Sequence, residues 1–135
     1  KNIIIFNVLE HIYNETLALD ELGKILKKNG KIILSTPFIY RYHGAPEDYK
    51  RYTLSYLEKL LKGRKYKIIQ KKNLGEGPLI GCYSLIFDYL KLIPLIKYPI
   101  LTFCFLFDLI ISIFHKSNSE KLYPVCVFIV AQKKS

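Results

Sequence analysis

Two short stretches of the sequence carry the side chains best suited to acid–base chemistry. Glu10 and His11 follow an apolar run near the start of the chain, and the loop after the next apolar run carries His43, Asp48 and Arg51. A histidine can remove a proton from a hydroxyl or an amine when it lies within hydrogen-bonding distance. We therefore take His43 as the leading candidate for a catalytic base and His11 as the second.

Each of these residues also has a structural interpretation. His11 could bond to the backbone at the start of a helix, and Glu10 could cap that helix. Asp48 and Arg51 are three residues apart, so one helical turn would pair them and brace the loop. His43 has no comparable partner in the sequence, which favours a functional role for it. The loop also supplies the candidates for binding a substrate, which are Asp48, Tyr49, Arg51 and Tyr52.

The apolar pattern predicts the strands and helices that position both stretches. Residues 2–9 form a continuous apolar run, which is typical of a strand buried on both faces of a parallel sheet. A helix capped by Asn14 should continue to about Lys28, with Gly30 in the left-handed position that ends it. Residues 31–36 predict a second strand, parallel to the first because a helix connects them. Ligands collect where such strands open into loops, so the polar loop is the predicted site.

The rest of the chain predicts two further strands and a pair of apolar helices. A helix capped by Thr53 or Ser55 leads to a Lys-rich strand at residues 66–73, which should lie at a sheet edge. Residues 79–114 contain only four charged side chains, and two prolines divide them into two helices of about equal length. A strongly apolar strand at residues 123–133 follows. The predicted fold class is α/β, and residues 1–135 are predicted to form a single partial domain.

The apolar helical hairpin raises the question of a membrane. Neither helix offers the roughly 20 uncharged residues of a spanning segment, because Asp88 and Asp108 each lie near the middle of one helix. We therefore expect a hairpin that lies on a membrane surface or packs as a lid on the sheet. Asp108 is the only charged residue in residues 100–114. An apolar face of that helix must then be covered by the first helix, the sheet, a second copy of the chain or a bilayer surface.

Charge and cysteine content argue against several functional classes. The formal net charge is +10, and residues 59–72 contain seven basic and no acidic residues. Lysine outnumbers arginine and no recognition pattern accompanies this cluster, so we expect a solvated face and no nucleic-acid partner. Cys82, Cys104 and Cys126 are widely spaced among apolar neighbours, which predicts buried thiols in a reducing compartment. No metal-ligand spacing is visible and no secretion signal opens the sequence, so we expect a cytoplasmic protein without a metal.

Three segments resemble a known enzyme family in their order and spacing. They are VLEHI at residues 8–12, ELGKILKKNGKIILSTPF at residues 21–38 and HGAPEDYKRYT at residues 43–53. Together they resemble the C-terminal half of class I S-adenosylmethionine-dependent methyltransferases, in the type 11-like branch often found with bacterial surface-polysaccharide genes. The resemblance implies a Rossmann-like half-sheet whose strands correspond to the fourth to seventh. It also implies that the last strand is antiparallel between the fifth and sixth, with a hairpin insertion at about residues 79–115.

The glycine-rich loop and acidic residue that hold the cofactor in this family have no counterpart in the 135 residues. The resemblance therefore implies a complete protein, consisting of this chain and an N-terminal cofactor-binding half. That complete protein would use S-adenosyl-L-methionine to methylate a sugar or a lipid-linked acceptor. Asn7, Val8 and Glu10 would meet the methionine end of the cofactor. The 135 residues alone are expected to be inactive.

The resemblance leaves partners and two other functions open. The apolar hairpin could make peripheral contact with the inner face of a membrane or could form a homodimer. A non-catalytic methyltransferase-like module, acting in binding or as a scaffold, would retain the same fold. A small membrane-associated protein organised by the hairpin is the third alternative.

Overall fold

The structure is a computed structural model that describes residues 2–44, 46–75, 77–115 and 119–134. A short 3-10 turn, Leu9–His11, follows the first strand. In chain order, the strands and helices are β1 (Ile3–Phe6), α1 (Glu15–Ile25), β2 (Lys31–Pro37), α2 (Leu54–Gly63), β3 (Tyr66–Leu74), α3 (Pro78–Leu90), α4 (Pro94–His115), α5 (Ser119–Leu122) and β4 (Cys126–Lys133). The fold is therefore a mixed α/β fold, as the sequence predicted.

The four strands form one sheet in the order β1-β2-β4-β3. β1 and β2 are parallel. β4 runs antiparallel to β3, because hydrogen bonds join opposite ends of the two strands. The Val125 N–H donates to the Leu74 carbonyl at 2.8 Å, and the Lys134 N–H donates to the Lys65 carbonyl at 3.1 Å. The Lys-rich strand β3 lies at a sheet edge, as its sequence predicted.

The hydrophobic core lies on the face of the sheet that α1 and α2 cover. Alternation along each strand sends every second side chain to this face, where it packs against the apolar side of a helix. The helices contribute Leu19, Leu57 and Leu61, all of which are fully buried. From the strands, the buried residues are Ile5, Ile32, Leu34, Val127, Ile129 and Ala131.

β1 is shorter and more exposed than its sequence predicted. Instead of residues 2–9 it comprises Ile3–Phe6, and Asn7, with a φ of 52°, turns the chain away. Ile4 is 63% exposed and Phe6 is 52% exposed, so the expectation of burial on both faces is wrong. The reason is that no described element covers the second face of β1, which lies at the other edge of the sheet. An apolar run predicts a strand but does not reveal how many of its faces are covered.

The ends of α1 show one correct prediction and one error. Asn14 caps the helix, as predicted, by accepting a hydrogen bond from a backbone N–H of the first turn. The helix ends at Ile25 rather than at Lys28. The left-handed residue is Asn29, with a φ of 61°, rather than Gly30. Asparagine tolerates this conformation better than other residues with a side chain, so it can replace glycine here.

The described chain divides into two compact units. The first contains residues 1–38, 42–72 and 127–135, and the second contains residues 39–41 and 73–126. The second unit holds the predicted hairpin, but its helices differ in length, with 13 residues in α3 and 22 in α4. α4 continues through Pro99, where a break was predicted. Pro99 has no N–H, so the Leu95 carbonyl lacks its helical hydrogen-bond donor. Leu95 is 89% exposed, so water can reach this part of the helix.

The cysteines are free thiols in three different environments. Cys104 is buried, as predicted, and Cys126 is partly buried. Cys82 is exposed, so the prediction of a buried thiol is wrong for this residue. An apolar neighbourhood in the sequence of α3 did not reveal which side of the helix faces solvent.

Asp108 links the two helices of the hairpin. Its side chain is only 1% exposed, although it is the one charged group in the middle of α4. Its carboxylate accepts hydrogen bonds from the backbone N–H groups of Leu79 at 3.1 Å and Ile80 at 2.8 Å, in the first turn of α3. A Cβ at Gly77 would lie 2.5 Å from the Asp108 carboxyl carbon, so the close approach requires glycine. The carboxylate thus caps α3 from the neighbouring helix.

Asp108→Ala is expected to lower the free energy of unfolding by about 1–3 kcal/mol, because two N–H groups lose their acceptor. Asp88→Ala provides the matched control, since Asp88 is a more exposed carboxylate on α3 that pairs with Arg41 and Lys91. Pairs of that kind contribute about 0–1 kcal/mol. Urea unfolding of the two variants measures the difference, and equal losses would show that the Asp108 cap does not stabilise the hairpin.

Candidate functional site

The turn after β1 and the loop after β2 meet at the carboxyl ends of the two parallel strands. The left-handed Asn7 ends β1, and the 3-10 turn that follows carries Glu10 and His11. The loop after β2 returns over this turn, where the Tyr49 N–H donates to the Glu10 carbonyl at 2.9 Å. Residues distant in sequence therefore share one end of the sheet.

Buried contacts fix the conformation of the loop. Tyr52 is 2% exposed, and its hydroxyl donates to the Leu9 carbonyl at 3.2 Å. Lys50 forms an ion pair with Glu15 at the start of α1, and the Tyr56 hydroxyl donates to the same carboxylate at 2.8 Å. Tyr52 was predicted to bind substrate. Its place in the core gives it a structural role instead, because a side chain so deeply buried has no surface to offer a ligand.

Glu10, His11 and His43 form a compact cluster at this site. The two histidine rings meet edge to face, with centroids 4.9 Å apart. The Nε2 atom of each histidine lies 3.8 Å from the same Glu10 oxygen, Oε1. Glu10 is completely buried, and neither of its carboxylate oxygens has a hydrogen-bond partner among the described residues. Burial raises the pKa of Glu10, while the nearby histidines and Arg51 act in the opposite direction.

The outer nitrogen of each histidine is held by an acceptor. His11 Nδ1 lies 2.5 Å from the backbone carbonyl oxygen of Glu47, and His43 Nδ1 lies 3.1 Å from Asp48 Oδ2. Since a carbonyl and an ionised carboxylate only accept, the neutral rings carry their hydrogen on Nδ1. The Nε2 atoms of both histidines then carry the lone pairs, and each lies 3.8 Å from Glu10 Oε1. The cluster thus brings two nitrogen lone pairs and one carboxylate within 4.8 Å of one another.

Asp48 holds both His43 and Arg51. Its carboxylate accepts from Arg51 in a two-pronged contact, with Nη2 at 2.6 Å from Oδ2, as the spacing in the sequence predicted. The same oxygen accepts the His43 backbone N–H at 3.0 Å. The hydrogen bond from Arg51 holds the pKa of Asp48 well below its ordinary value, so Asp48 stays ionised. The argument that His43 has no structural partner is therefore wrong, because Asp48 binds both its ring and its backbone.

The remaining predicted residues lie around this cluster. Asn7 and Val8 are exposed beyond the end of β1, where the resemblance places the cofactor. Tyr49 is 47% exposed and packs edge to face on Tyr13. Glu10 does not cap α1. Asn14 does, because Glu10 belongs to the 3-10 turn ahead of the helix and directs its carboxylate to the histidines.

A shallow open depression of about 230 Å³ is lined in part by Asp48, whose carboxylate lies 3.1 Å from His43 of the cluster. Three of the four residues predicted to bind substrate line it together, and only Tyr52 does not. A larger depression of about 520 Å³ lies between α2 and β3, and none of the predicted site residues lines it. The residues that line the smaller depression are Tyr42, Asp48, Tyr49, Lys50 and Arg51.

Comparison with known proteins shows similarity at the level of the fold. The chain is similar to the crystal structure of the [4+2]-cyclase SpnF, with a TM-score of 0.58 and 11% sequence identity. The match covers 98% of this chain and 49% of the SpnF chain, so this chain spans about half the length of that structure. This likeness shows that the chain shares its fold with about half of the SpnF chain. No family model matches the sequence, and no curated protein matches it.

Proposed function

We propose that this chain is the C-terminal part of an S-adenosylmethionine-dependent methyltransferase of the type 11-like branch. Its strands β1, β2, β3 and β4 would correspond to the fourth, fifth, sixth and seventh strands of the family. The strand order β1-β2-β4-β3 and the antiparallel β4 agree with that assignment. The half-length similarity to SpnF and the three sequence segments support it independently.

The observation that carries the proposal is the Glu10, His11 and His43 cluster at the carboxyl ends of β1 and β2. Open α/β sheets bind their ligands at this end. In methyl transfer the acceptor atom attacks the methyl carbon and forms a new bond, while the bond from carbon to sulfur breaks. S-Adenosylhomocysteine leaves, and the proton of the acceptor hydroxyl must go to a base. The Nε2 lone pairs of the two histidines can receive that proton.

His43 is the better base of the two histidines. When its ring takes a proton on Nε2, the positive charge lies between the ionised Asp48 at 3.1 Å and the Glu10 carboxylate at 3.8 Å. His11 has a neutral carbonyl at its Nδ1 atom instead of a carboxylate. Asp48 is therefore a positioning residue for His43, and it also stabilises the protonated ring.

The acceptor is a hydroxyl of a sugar or of a lipid-linked sugar. The depression beside the cluster offers the aromatic ring of Tyr49 and the charged groups of Lys50 and Arg51. These side chains suit a sugar, because aromatic rings stack on its apolar face while charged groups bind hydroxyls or a phosphate. A methylation assay of the complete protein with glycan and lipid-linked acceptors, reading out S-adenosylhomocysteine, tests this function directly.

The second face of β1 supports a further half of the protein. Ile4 and Phe6 form an apolar strip on the exposed face of β1, which is an edge strand. Exposed apolar surfaces at a sheet edge favour association. In the complete protein, the N-terminal half would cover this strip and hold the adenosine of the cofactor. Asn7 and Val8, which follow the strip, would then meet the methionine end.

The exposed surface of the hairpin favours an acceptor that is linked to a lipid. α4 is long and apolar enough to cross a membrane by length and composition, and only 11% of its apolar window is buried. The exposed apolar side chains include Leu92 at 81%, Leu95 at 89% and Phe103 at 62%. Lys91 and Lys97 lie close to them in the sequence and suit an anionic surface. We propose that the hairpin rests on the inner face of the cytoplasmic membrane, without spanning it.

Replacing Leu92, Leu95 and Phe103 by serine is expected to lower vesicle binding of the complete protein at least tenfold, because the apolar contact with the bilayer is lost. Leu17→Ser with Ile25→Ser removes exposed apolar residues from α1 and serves as the control. Flotation with phosphatidylglycerol and with phosphatidylcholine vesicles measures binding. No flotation with either lipid would contradict the membrane proposal, and a dimer seen by light scattering would instead assign the surface to a second copy of the chain.

A further inference from the structure

The Glu10 carboxylate lies in an environment that is unusual for an ionisable group. It is completely buried, it belongs to a residue type that is almost never fully buried unless paired, and its oxygens have no hydrogen-bond partner among the described residues. The Nε2 atoms of His11 and His43 each lie 3.8 Å from its Oε1 atom. With hydrogen on Nδ1 these nitrogens are acceptors, so two nitrogen lone pairs and a carboxylate lie close together.

We propose that Glu10, His11 and His43 bind a divalent transition-metal ion of the Zn²⁺ class. One ligand atom from each residue lies within 4.8 Å of the other two. A metal with bonds of about 2.0–2.2 Å requires ligand atoms roughly 3–3.7 Å apart. The two distances of 3.8 Å to Glu10 Oε1 lie just above that range, and the largest separation in the cluster is within 4.8 Å, so side-chain movements of about 1 Å would have to draw the ligand atoms together.

The groups behind the ligands have the arrangement that metal-binding histidines require. Histidine ligands donate their other N–H to a carbonyl or a carboxylate, which fixes the ring and strengthens the nitrogen that binds the metal. His11 has the Glu47 carbonyl for this purpose, and His43 has the Asp48 carboxylate. Asp48 is in turn held by Arg51. Each histidine is therefore oriented before any metal binds.

The ligand set also indicates which metals fit. Two imidazole nitrogens and one carboxylate suit zinc, iron(II), cobalt(II) or manganese(II), whereas calcium and magnesium prefer oxygen ligands alone. Three protein ligands leave further coordination positions open, as in catalytic metal sites. The site is accessible, because the His11 and His43 side chains are 16% and 24% exposed.

A metal and a proton would compete for the same nitrogen lone pairs. In the metal-bound protein the histidines would act as ligands, and the metal would acidify a bound acceptor hydroxyl, whose proton would pass to solvent water. The metal site itself needs only side chains of this chain. It can therefore be tested without a cofactor or an acceptor, and its failure would leave the proposed methyl transfer with His43 as the base.

The test is a titration of the complete protein, freed of metal with a chelator, with Zn²⁺ by calorimetry and with Co²⁺ by visible absorption. We expect one metal per chain, with Co²⁺ giving the intense absorption of a low-coordinate site. Glu10→Gln and His43→Ala should each weaken Zn²⁺ binding at least 100-fold, and Asp48→Asn should weaken it about 10–100-fold. Cys82→Ser is the control, because Cys82 is an exposed thiol outside the site and its loss should change nothing.

Thermal unfolding with and without Zn²⁺ keeps the test decisive if one variant is unstable, because a metal that binds the folded state raises Tm. The unsubstituted protein should gain Tm, and the Glu10→Gln and His43→Ala proteins should not. No stoichiometric binding by the unsubstituted protein would overturn the proposal. So would binding that survives in both variants or disappears with Cys82→Ser.

Discussion

Replacing His43 by alanine in the complete protein is expected to lower kcat for methyl transfer by about 10²–10⁴-fold, the range that a general base contributes. The KM for S-adenosylmethionine should change little, because His43 lies on the loop after β2 while Asn7 and Val8 follow β1. Asp48→Asn should reduce kcat less, since asparagine retains an oxygen that can accept from Nδ1 and loses only the charge. Steady-state kinetics of the two variants measure both effects.

A structural role for His43 would give a different result. His43 is anchored to Asp48 through its ring and its backbone, so the loop itself depends on this pair. If alanine only loosened the loop, His43→Ala and Asp48→Asn would lose activity equally and would lower Tm by similar amounts. Glu21→Gln provides the control for both, because Glu21 is an exposed carboxylate on α1 and its loss should leave kcat unchanged.

Glu10→Gln is expected to make the metal-free protein more stable and less active. The substitution removes a buried charge whose oxygens have no hydrogen-bond partner among the described residues, while keeping nearly the same shape. Removing such a charge should raise the free energy of unfolding by about 1–2 kcal/mol, since the desolvation cost of the buried carboxylate exceeds what the two histidines at 3.8 Å return. Activity should fall about 100-fold. A residue retained at a cost in stability is expected where function requires it.

Glu15→Gln is the matched control, and we expect it to change the free energy of unfolding in the opposite direction. Glu15 is also buried, but its carboxylate binds Lys50 and the Tyr56 hydroxyl. Its replacement should lower the free energy of unfolding by about 1–3 kcal/mol, because charged hydrogen bonds are lost. Urea unfolding of both variants decides the matter. If Glu10→Gln lost as much stability as Glu15→Gln, the Glu10 carboxylate would be a structural group with partners like those of Glu15.

The parts of the fold that depend on local chemistry could be predicted from the sequence. Asn14 caps α1, and Thr53, one of the two candidates with Ser55, caps α2, because a cap needs only a suitable side chain and the next helical turn. The Lys-rich β3 could be placed at a sheet edge for a similar reason, since charged side chains are tolerated there. The Asp48–Arg51 pair follows from a spacing of three residues. None of these features needs knowledge of distant segments.

The errors arise where distant segments decide the outcome. The apolar run of β1 did not reveal its exposed face, because coverage depends on which elements pack there. Asp108 could not be identified as the cap of α3, since its partners lie 28 and 29 residues away. Pro99 was read as a break, although an exposed helix can accommodate the missing bond. In each case the local signal was present, and its meaning was set by tertiary packing.

In the candidate site, too, the individual residues could be predicted from the sequence, but their arrangement depends on distant segments. The sequence identified Glu10, His11 and His43 as separate candidates and gave no sign of a metal site. Their common meeting point depends on the left-handed turn at Asn7 and on Tyr52, which anchors the loop in the core. A spacing rule for metal ligands cannot detect a site whose parts come from two different loops. The structural signal that identifies it is the burial of a carboxylate that has no hydrogen-bond partner among the described residues.

A calorimetric titration with S-adenosylmethionine tests the central claim most directly, when it compares the 135-residue chain with the complete protein. The account predicts binding by the complete protein with a Kd on the order of micromolar, about −8 kcal/mol, and no detectable binding by the 135 residues alone. The reason is that the proposal assigns the adenosine to a cofactor-binding half that is not among these 135 residues. Micromolar binding by the 135 residues alone would contradict the account, and so would the absence of binding by the complete protein.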